Sequence, residues 1–349
     1  MIDDTKEKIS EIVIKILYRR FDNFPEDANK NRNAPFHKAF LNAFSDKLET
    51  CVTNIPYFIS LSSWLHGLNT TLGQTFFEGV AHILSEGSKR EYTSKRSGNL
   101  LISQYQKQAI SEIITDLSNG NVKPCLKREN EFLFNNDDIA DVDSLGFSAD
   151  VFIEENDEII AIELKAVRPN SGEVRGEKQK ILEGKAALSR LFPDKIINFF
   201  IGFPFDPTSE EIDTEYNKKR FMSSIINMEK YFAEDEVLLS SELWDYLSGE
   251  ESTMEQILTI INSVATTKFM ETYEYINNND NRNTNKYKQN LMNWNMSREL
   301  FIVNNISKVE AYMNSKYKRI HNQPIFKNGE YNINRYIALS DLIREKTGQ

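Results

Sequence analysis

The 349-residue chain has little cysteine and no long apolar run. Its two cysteines, Cys51 and Cys125, lie far apart, which excludes a disulfide framework and is typical of reduced thiols in a cytoplasmic protein. No apolar run reaches about 18 residues, so we expect no membrane-spanning helix. The N-terminal stretch MIDDTKEKIS is polar and acidic, and we therefore expect no secretory signal peptide.

Several catalytic signatures are also absent. The sequence has no Walker-type phosphate loop, no zinc-type cluster of cysteine and histidine, and no Gly-x-Ser-x-Gly elbow. The segment AIELK faintly resembles a protein-kinase strand, but the Gly-rich and His-Arg-Asp loops of kinases are missing. The few histidines are scattered, which disfavours a histidine–metal nuclease: His37, His66, His82 and His321.

Positive charge is scarce overall but locally concentrated. The net charge of −10 and the pI of about 5.2, taken alone, argue weakly against nucleic acid as a partner, because phosphate binding favours basic surfaces. The segment 87–98 nevertheless carries four basic residues against one acid. From Lys308 to the end, eight lysines or arginines face four acids. The sequence is therefore still compatible with a basic groove within an acidic protein.

Apolar periodicity divides the chain into three parts. Helical spacing dominates the first ~120 residues, including the segments 6–21, 37–52, 71–88 and 103–120. The middle is rich in branched and aromatic residues and predicts two strands, a helix and a third strand: 147–155, 158–167, 173–192 and 195–203. The remainder is mostly helical, and the Asn-rich segment 276–290 predicts an exposed loop.

Two charges interrupt the most apolar of the predicted strands. Because side chains alternate along a strand, Glu163 and Lys165 lie on one face. A two-residue turn at Asn156 and Asp157 places Asp150 opposite Glu163 and diagonal to Lys165. A turn centred half a residue away would separate these residues, so the hairpin register is itself a prediction.

Two opposed carboxylates repel each other, and a divalent cation removes that repulsion. Oxygen-only ligands suit Mg²⁺, and a neighbouring lysine can stabilise charge that develops on a phosphate. The pattern thus favours metal-assisted phosphodiester hydrolysis. An ordinary ion pair between Glu163 and Lys165 on a half-exposed strand explains the same spacing and stays open at this point.

The order of Asp150, then Glu163 and Lys165 in ELK, resembles the PD-(D/E)xK nuclease superfamily, although Ser-Ala precedes Asp150 where other residues are usual. The longer run IAIELKAVRPNSGEVRGEKQKILEGKAALSRLFP, followed by FFIGFPFDPTS, resembles type II restriction endonucleases of the TdeIII/MjaII family. The strong part of the resemblance covers residues 148–209.

The resemblance implies Mg²⁺-dependent cleavage of double-stranded DNA that leaves 5′-phosphate ends at a GGNCC-like palindromic site. It implies that Asp150, Glu163 and the backbone carbonyl of Leu164 bind the metal and that Lys165 activates the attacking water. A palindromic site predicts a two-fold symmetric homodimer. A cognate DNA methyltransferase would protect the host's own sites.

The expected fold is α/β: a PD-(D/E)xK restriction-endonuclease-like core, with a central mixed sheet flanked by helices, and additional helical regions at both ends. We predict an N-terminal helical region at 1–69, a nuclease core at 70–206, and a mostly helical region at 207–349 for DNA recognition and dimerisation. Further candidates are Glu78 and Gln179 for the active site, and a basic set for DNA contact: Lys89, Arg90, Arg168, Arg175, Lys178 and Lys180.

Two other functions stay open on the sequence alone. A structure-specific or repair nuclease of the same superfamily would share every catalytic residue. A non-catalytic DNA- or protein-binding module would retain the fold but not cleave. Solvated helix faces explain Glu78, Gln179 and the basic residues equally well.

Overall fold

The computed structural model describes residues 1–25, 41, 55–134, 141–166, 169–209 and 214–348. They form two compact units. One unit combines Met1–Phe76 with Ile257–Gln349, and the other is Phe77–Gln256. The predicted helix at 37–52 falls almost entirely outside the described residues, and the predicted division at residues 69 and 206 stays a prediction.

A five-stranded mixed sheet forms the centre of the unit Phe77–Gln256. Its strands, in spatial order, are β1 (Ser88–Tyr92), β4 (Phe147–Glu154), β5 (Glu158–Leu164), β6 (Ile196–Phe203) and β7 (Val237–Leu239). The first two pairings are antiparallel, and the pairings of β5 with β6 and of β6 with β7 are parallel. The expected α/β fold with a central mixed sheet and flanking helices is confirmed.

The predicted strand–strand–helix–strand unit is β4, β5, the helix α6 (Ser171–Leu191) and β6. Asn170 begins α6 by accepting hydrogen bonds from the backbone N–H groups of Gly172 and Glu173, which satisfies donors that a helix start leaves open. Gly184 lets α6 lie close to the sheet, because a Cβ there would stand 2.6 Å from the ring of Phe199. The helix therefore packs directly over the strands that carry the predicted acidic residues.

The remaining elements of this unit complete the layers around the sheet. One apolar core joins α4 (Gln104–Asn119) and α6 to the strand residues that include Ala161, Phe199 and Val237. A short helix α3 (Glu78–Ser85) contacts β4, and α9 (Ser241–Ser248) contacts both α3 and β7. The other elements are β2 (Leu101–Ser103), β3 (Asp141–Asp143), α5 (Leu126–Phe134), α7 (Lys218–Ser223) and α8 (Met228–Tyr231).

The other unit is built almost wholly of helices. They are α1 (Asp3–Asp22), α2 (Ile55–Thr71), α11 (Phe269–Asn277), α12 (Asn285–Asn293), α13 (Ser297–Val309), α14 (Ser315–His321) and α15 (Ile333–Thr347), with α10 (Thr253–Val264) spanning the division between the units. A short hairpin joins β8 (Phe326–Lys327) to β9 (Glu330–Tyr331). Over the described ranges, no helix has the length and apolar character needed to cross a membrane.

The predicted loop at 276–290 is wrong. Most of the segment belongs to the end of α11, a 3₁₀ turn at Asn279–Asn281 and the start of α12. Its polar residues serve as caps, because Asn278 accepts from the backbone N–H of Asp280 and Thr284 accepts from that of Tyr287. The polar composition therefore reflects closely spaced helix ends.

Candidate active site

The hairpin of β4 and β5 has the predicted register. Val151 pairs with Ile162 and Glu154 pairs with Ile159, the alignment that puts Asp150 opposite Glu163. The turn closes with a hydrogen bond of 2.9 Å from the N–H of Glu155 to the carbonyl of Glu158. Asp150 and Glu163 are 8% and 7% exposed, so two nearly buried carboxylates face each other across the hairpin.

Lys165 follows directly after β5 and turns back onto Glu163. Its backbone N–H donates to the carbonyl of Gly202 on the neighbouring parallel strand at 2.8 Å, which fixes the chain where the strand ends. Its Nζ lies 2.9 Å from Oε1 of Glu163 and 3.1 Å from Oε1 of Glu177 on α6. Lys180, also on α6, lies 3.0 Å from the second oxygen of Glu177. The strand end and the first half of α6 thus form an alternating set of acids and lysines.

A second cluster surrounds Asp150 from the other side. Nζ of Lys89 on β1 lies 2.8 Å from Oδ1 of Asp150 and 3.2 Å from Oε2 of Glu78 on α3. His82, one turn after Glu78, hydrogen-bonds through Nε2 to the backbone carbonyl of Asp150 at 2.7 Å. The helix α3 therefore contributes both an acid beside Asp150 and a contact that holds its backbone.

The proximity of the acids changes their proton affinities. Burial and then the neighbouring charge of Asp150 raise the pKa of Glu163 above its usual 4.5. The same two causes raise the pKa of Glu78. Burial alone would lower the pKa of Lys165, but Glu163 and Glu177 outweigh it and leave the pKa raised. These acids are close enough for a positive charge between them to be favourable.

The structure thus brings together four of the predicted catalytic residues: Asp150, Glu163, Lys165 and Glu78. Leu164, the last residue of β5, donates its backbone N–H to Oδ2 of Asp150. Gln179 is half-buried on α6, and the described contacts do not join it to this cluster.

Five of the six residues predicted to contact DNA separate into three groups. Lys89 and Lys180 are ion-paired with carboxylates of the cluster, and their side chains are 36% and 34% exposed. Arg90 and Arg175 are exposed, and the guanidinium of Arg90 stacks over the ring of Phe152 at 5.4 Å. Arg168 lies outside the described residues.

The position of Lys178 contradicts the prediction that this residue contacts DNA. Its side chain is fully buried and lies 2.5 Å from Glu129 and 2.6 Å from Glu236, so it faces the protein interior and not DNA. Helical spacing would have revealed this, because Lys178 is four residues after Val174 and three before Ile181, and both of these apolar residues are buried. The positive charge of Lys178 suggested a surface position, but its place on the buried face of α6 excludes that position.

Sequence reasoning missed three contributors to the site. Glu177 anchors Lys165, Ser148 donates to Oε2 of Glu163 at 3.2 Å, and His82 holds the backbone of Asp150. The helical spacing of Glu177 before Lys180 was the available signal for the first. Strand alternation was the available signal for Ser148, which lies two residues before Asp150 on β4. Helical spacing places His82 one turn after Glu78, but its contact with the backbone of Asp150 depends on tertiary packing.

The carboxylates of Asp150 and Glu163 have the chemistry of divalent-metal ligands, although each is ion-paired with a lysine in this structure. Among the described residues, no three side chains of histidine, cysteine, aspartate or glutamate form a ready metal cage. Asp150 and Glu163 nevertheless supply opposed carboxylate oxygens, and burial followed by the charge of Asp150 raises the pKa of Glu163. Mg²⁺ characteristically takes one or two carboxylates and keeps its other positions for water or phosphate. The residues present are compatible with such an ion.

Comparison with known proteins identifies the class of enzyme. The family model for "Type II restriction endonuclease, HinfI" matches residues 1–265. The chain is also 42% identical, over an alignment of 360 residues, to the type II restriction enzyme MjaII of Methanocaldococcus jannaschii, and the alignment covers 96% of each protein. The resemblance to restriction enzymes is confirmed: the chain belongs to the HinfI family of type II restriction endonucleases, which are site-specific deoxyribonucleases.

Proposed function

We propose that this restriction endonuclease hydrolyses double-stranded DNA with Mg²⁺ at the cluster of Asp150, Glu163 and Lys165. One observation carries the proposal: adjoining strands supply two opposed carboxylates, and a lysine ammonium lies 2.9 Å from one of them. Hard carboxylate ligands beside a cationic side chain are the elements that metal-assisted phosphodiester hydrolysis needs.

Each residue has a separate role in this proposal. Asp150, Glu163 and the backbone carbonyl of Leu164 hold the Mg²⁺ ion. When bound, the ion supplies charge stabilisation for the phosphate and lowers the pKa of a water molecule. Lys165, held by Glu163 and Glu177, orients the attacking water and stabilises negative charge on the phosphate. Glu78 adds a third acid near Asp150, and Gln179 positions the water or a phosphate oxygen.

The reaction has defined products. The water oxygen forms a bond to phosphorus, and the bond from phosphorus to the 3′-oxygen breaks. The departing 3′-oxygen takes up a proton, so the ends carry a 5′-phosphate and a 3′-hydroxyl. We propose that the site cleaved is palindromic and GGNCC-like, and that the enzyme acts as a homodimer because protein symmetry matches site symmetry.

The remaining proposals concern partners. Exposed Arg90 and Arg175, together with Arg168, contact the DNA backbone, where arginine pairs well with phosphate. The mostly helical region at 207–349 contributes to recognition and dimerisation. The enzyme works in the cytoplasm, where it meets DNA, beside a methyltransferase that protects the host sites.

Digestion of a sequenced plasmid tests these proposals together. Purified protein with Mg²⁺ should give discrete fragments, and chelation with EDTA should prevent them. Sequencing the ends gives the recognition site, and ligation without added kinase reports the 5′-phosphates. Cleavage that persists in EDTA would contradict the metal requirement. Fragments ending in 3′-phosphate would contradict the proposed bond cleavage, and a smear or cutting only at branched DNA would favour a structure-specific nuclease.

A further inference from the structure

Lys89 reaches the active site through an irregularity in the sheet. Ser88 pairs with Phe152 but Arg90 pairs with Ala149, so Lys89 alone faces both Asp150 and Val151. This is a β-bulge in β4, and bulges commonly redirect side chains beside active sites. Because of the extra residue, Asp150 can share the sheet face of Glu163 while lying next to a lysine from another strand.

The contacts of Lys89 involve the atoms that a metal ion would need. Its Nζ lies 2.8 Å from Oδ1 of Asp150 and bridges to Glu78. The second oxygen of Asp150 is already engaged by the backbone N–H of Leu164 at 2.9 Å. Of the two carboxylate oxygens of Asp150, Oδ1 is therefore the one whose partner is a flexible side chain, that of Lys89. The side chain of Lys89 is 36% exposed, which gives its ammonium group a direct route to solvent.

The local charges favour exchange of this ammonium for a divalent ion. With Lys89 in place, three lysines oppose four carboxylates; with Lys89 withdrawn, two lysines oppose them, which leaves two net negative charges. A divalent ion neutralises that remainder. An ion on Asp150 with Lys89 still in contact would instead put two cationic centres within a few ångströms, which is unfavourable at a partly buried site. The groups concerned are Glu78, Asp150, Glu163 and Glu177 with Lys89, Lys165 and Lys180.

We propose that Lys89 is a built-in counter-cation that occupies Oδ1 of Asp150 in the metal-free enzyme and competes with the divalent ion for it. The inference rests on the proposed metal-dependent function. Lys89 stabilises the carboxylates of Asp150 and Glu78 before the ion arrives and leaves Asp150 when the ion binds. Lys89 thus stabilises the folded, metal-free protein and lowers its affinity for the metal ion.

Calorimetric titration with Mn²⁺ in the absence of DNA tests the competition. The full-length Lys89→Met variant keeps the apolar stem but loses the charge, and its Mn²⁺ affinity should rise about tenfold or more. Lys89→Arg retains a cation and should stay closer to the wild type. Lys107→Met is the matched control, because Lys107 is also 36% exposed and lies 2.8 Å from a buried carboxylate, that of Glu183, outside the cluster.

A thermal measurement covers the case in which the variant folds poorly. Metal-free Lys89→Met should melt below the wild type, and Mn²⁺ should raise its Tm by more. If Lys89→Met shows the same Mn²⁺ affinity and the same Tm rise as the wild type, the proposed role of Lys89 is wrong. If Asp150→Asn loses Mn²⁺ binding in the same experiment, the proposed metal site is still supported. If neither the wild type nor Lys89→Met binds Mn²⁺, the proposed metal site and this inference both fail.

Discussion

Asp150 accepts a hydrogen bond of 2.9 Å from the backbone N–H of Leu164. This bond runs from β4 to the last residue of β5 and fixes one oxygen of the carboxylate at the end of the strand. Because side chains alternate, a slip of one residue in the hairpin would turn Asp150 away from Glu163. The two-residue turn that sets the register therefore decides whether the proposed active site forms.

Lys165→Ala should reduce DNA cleavage at least about a hundredfold, because it removes the positive charge that we propose lies next to the reacting phosphate. DNA binding measured by gel shift should change little. Lys195→Ala is a close control: the two lysines are 22% and 20% exposed, and each lies 2.9 Å from a glutamate of the same hairpin. Lys195 lies at the turn end and should leave cleavage unchanged. Equal rates for both variants would remove Lys165 from the mechanism.

Glu177→Gln should lower kcat by about tenfold while KM stays nearly constant, because the neutral amide holds the Lys165 ammonium less firmly. Glu177 is a positioning residue in this view, 3.1 Å from Nζ of Lys165. Single-turnover cleavage at saturating enzyme separates this effect from weaker binding. The exposed Glu112→Gln on α4 removes a similar charge without touching the cluster. A loss confined to KM would argue that Glu177 acts in DNA binding instead.

The sequence predicted the hairpin, α6 and β6 because their determinants are local. Runs of branched and aromatic residues define the strands, the Asn156–Asp157 turn sets their register, and Asn170 caps the helix. Lys89 could not be assigned in this way. It meets Asp150 about 60 positions later in the chain, through an edge strand and a bulge that no local pattern announces. Long-range pairing of this kind depends on tertiary structure.

Lys178→Ala should destabilise the protein by about 3–5 kcal/mol, because it leaves two buried carboxylates without their shared cation. Glu129 and Glu236 are each 1% exposed, so water cannot replace the lost partner without opening the core. Arg175→Ala, exposed on the same helix, should change the free energy of unfolding by less than about 0.5 kcal/mol. Urea unfolding of both variants provides the comparison. Similar small losses would show that Glu129 and Glu236 find other partners.

His321 should make the protein less stable in mild acid. Burial and then the charges of Arg282 and Arg335 lower the pKa of His321 from 6.5 to about 4, and both guanidinium groups hydrogen-bond to the carbonyl of His321 itself. Between these two pKa values the unfolded chain binds the additional proton, so stability falls as pH drops from about 6.5 towards 4.

The difference between wild type and His321→Asn isolates this contribution from the other acid-sensitive groups. Allowing for partial exposure of the ring, the wild type should lose about 1–2 kcal/mol more than the variant between pH 7 and pH 5. The backbone carbonyl that binds Arg282 and Arg335 is retained in the variant. Urea unfolding midpoints at the two pH values measure the loss. If both proteins lose the same stability, the pKa of His321 does not differ between the folded and unfolded protein, and the expected effect of its two cationic neighbours is wrong.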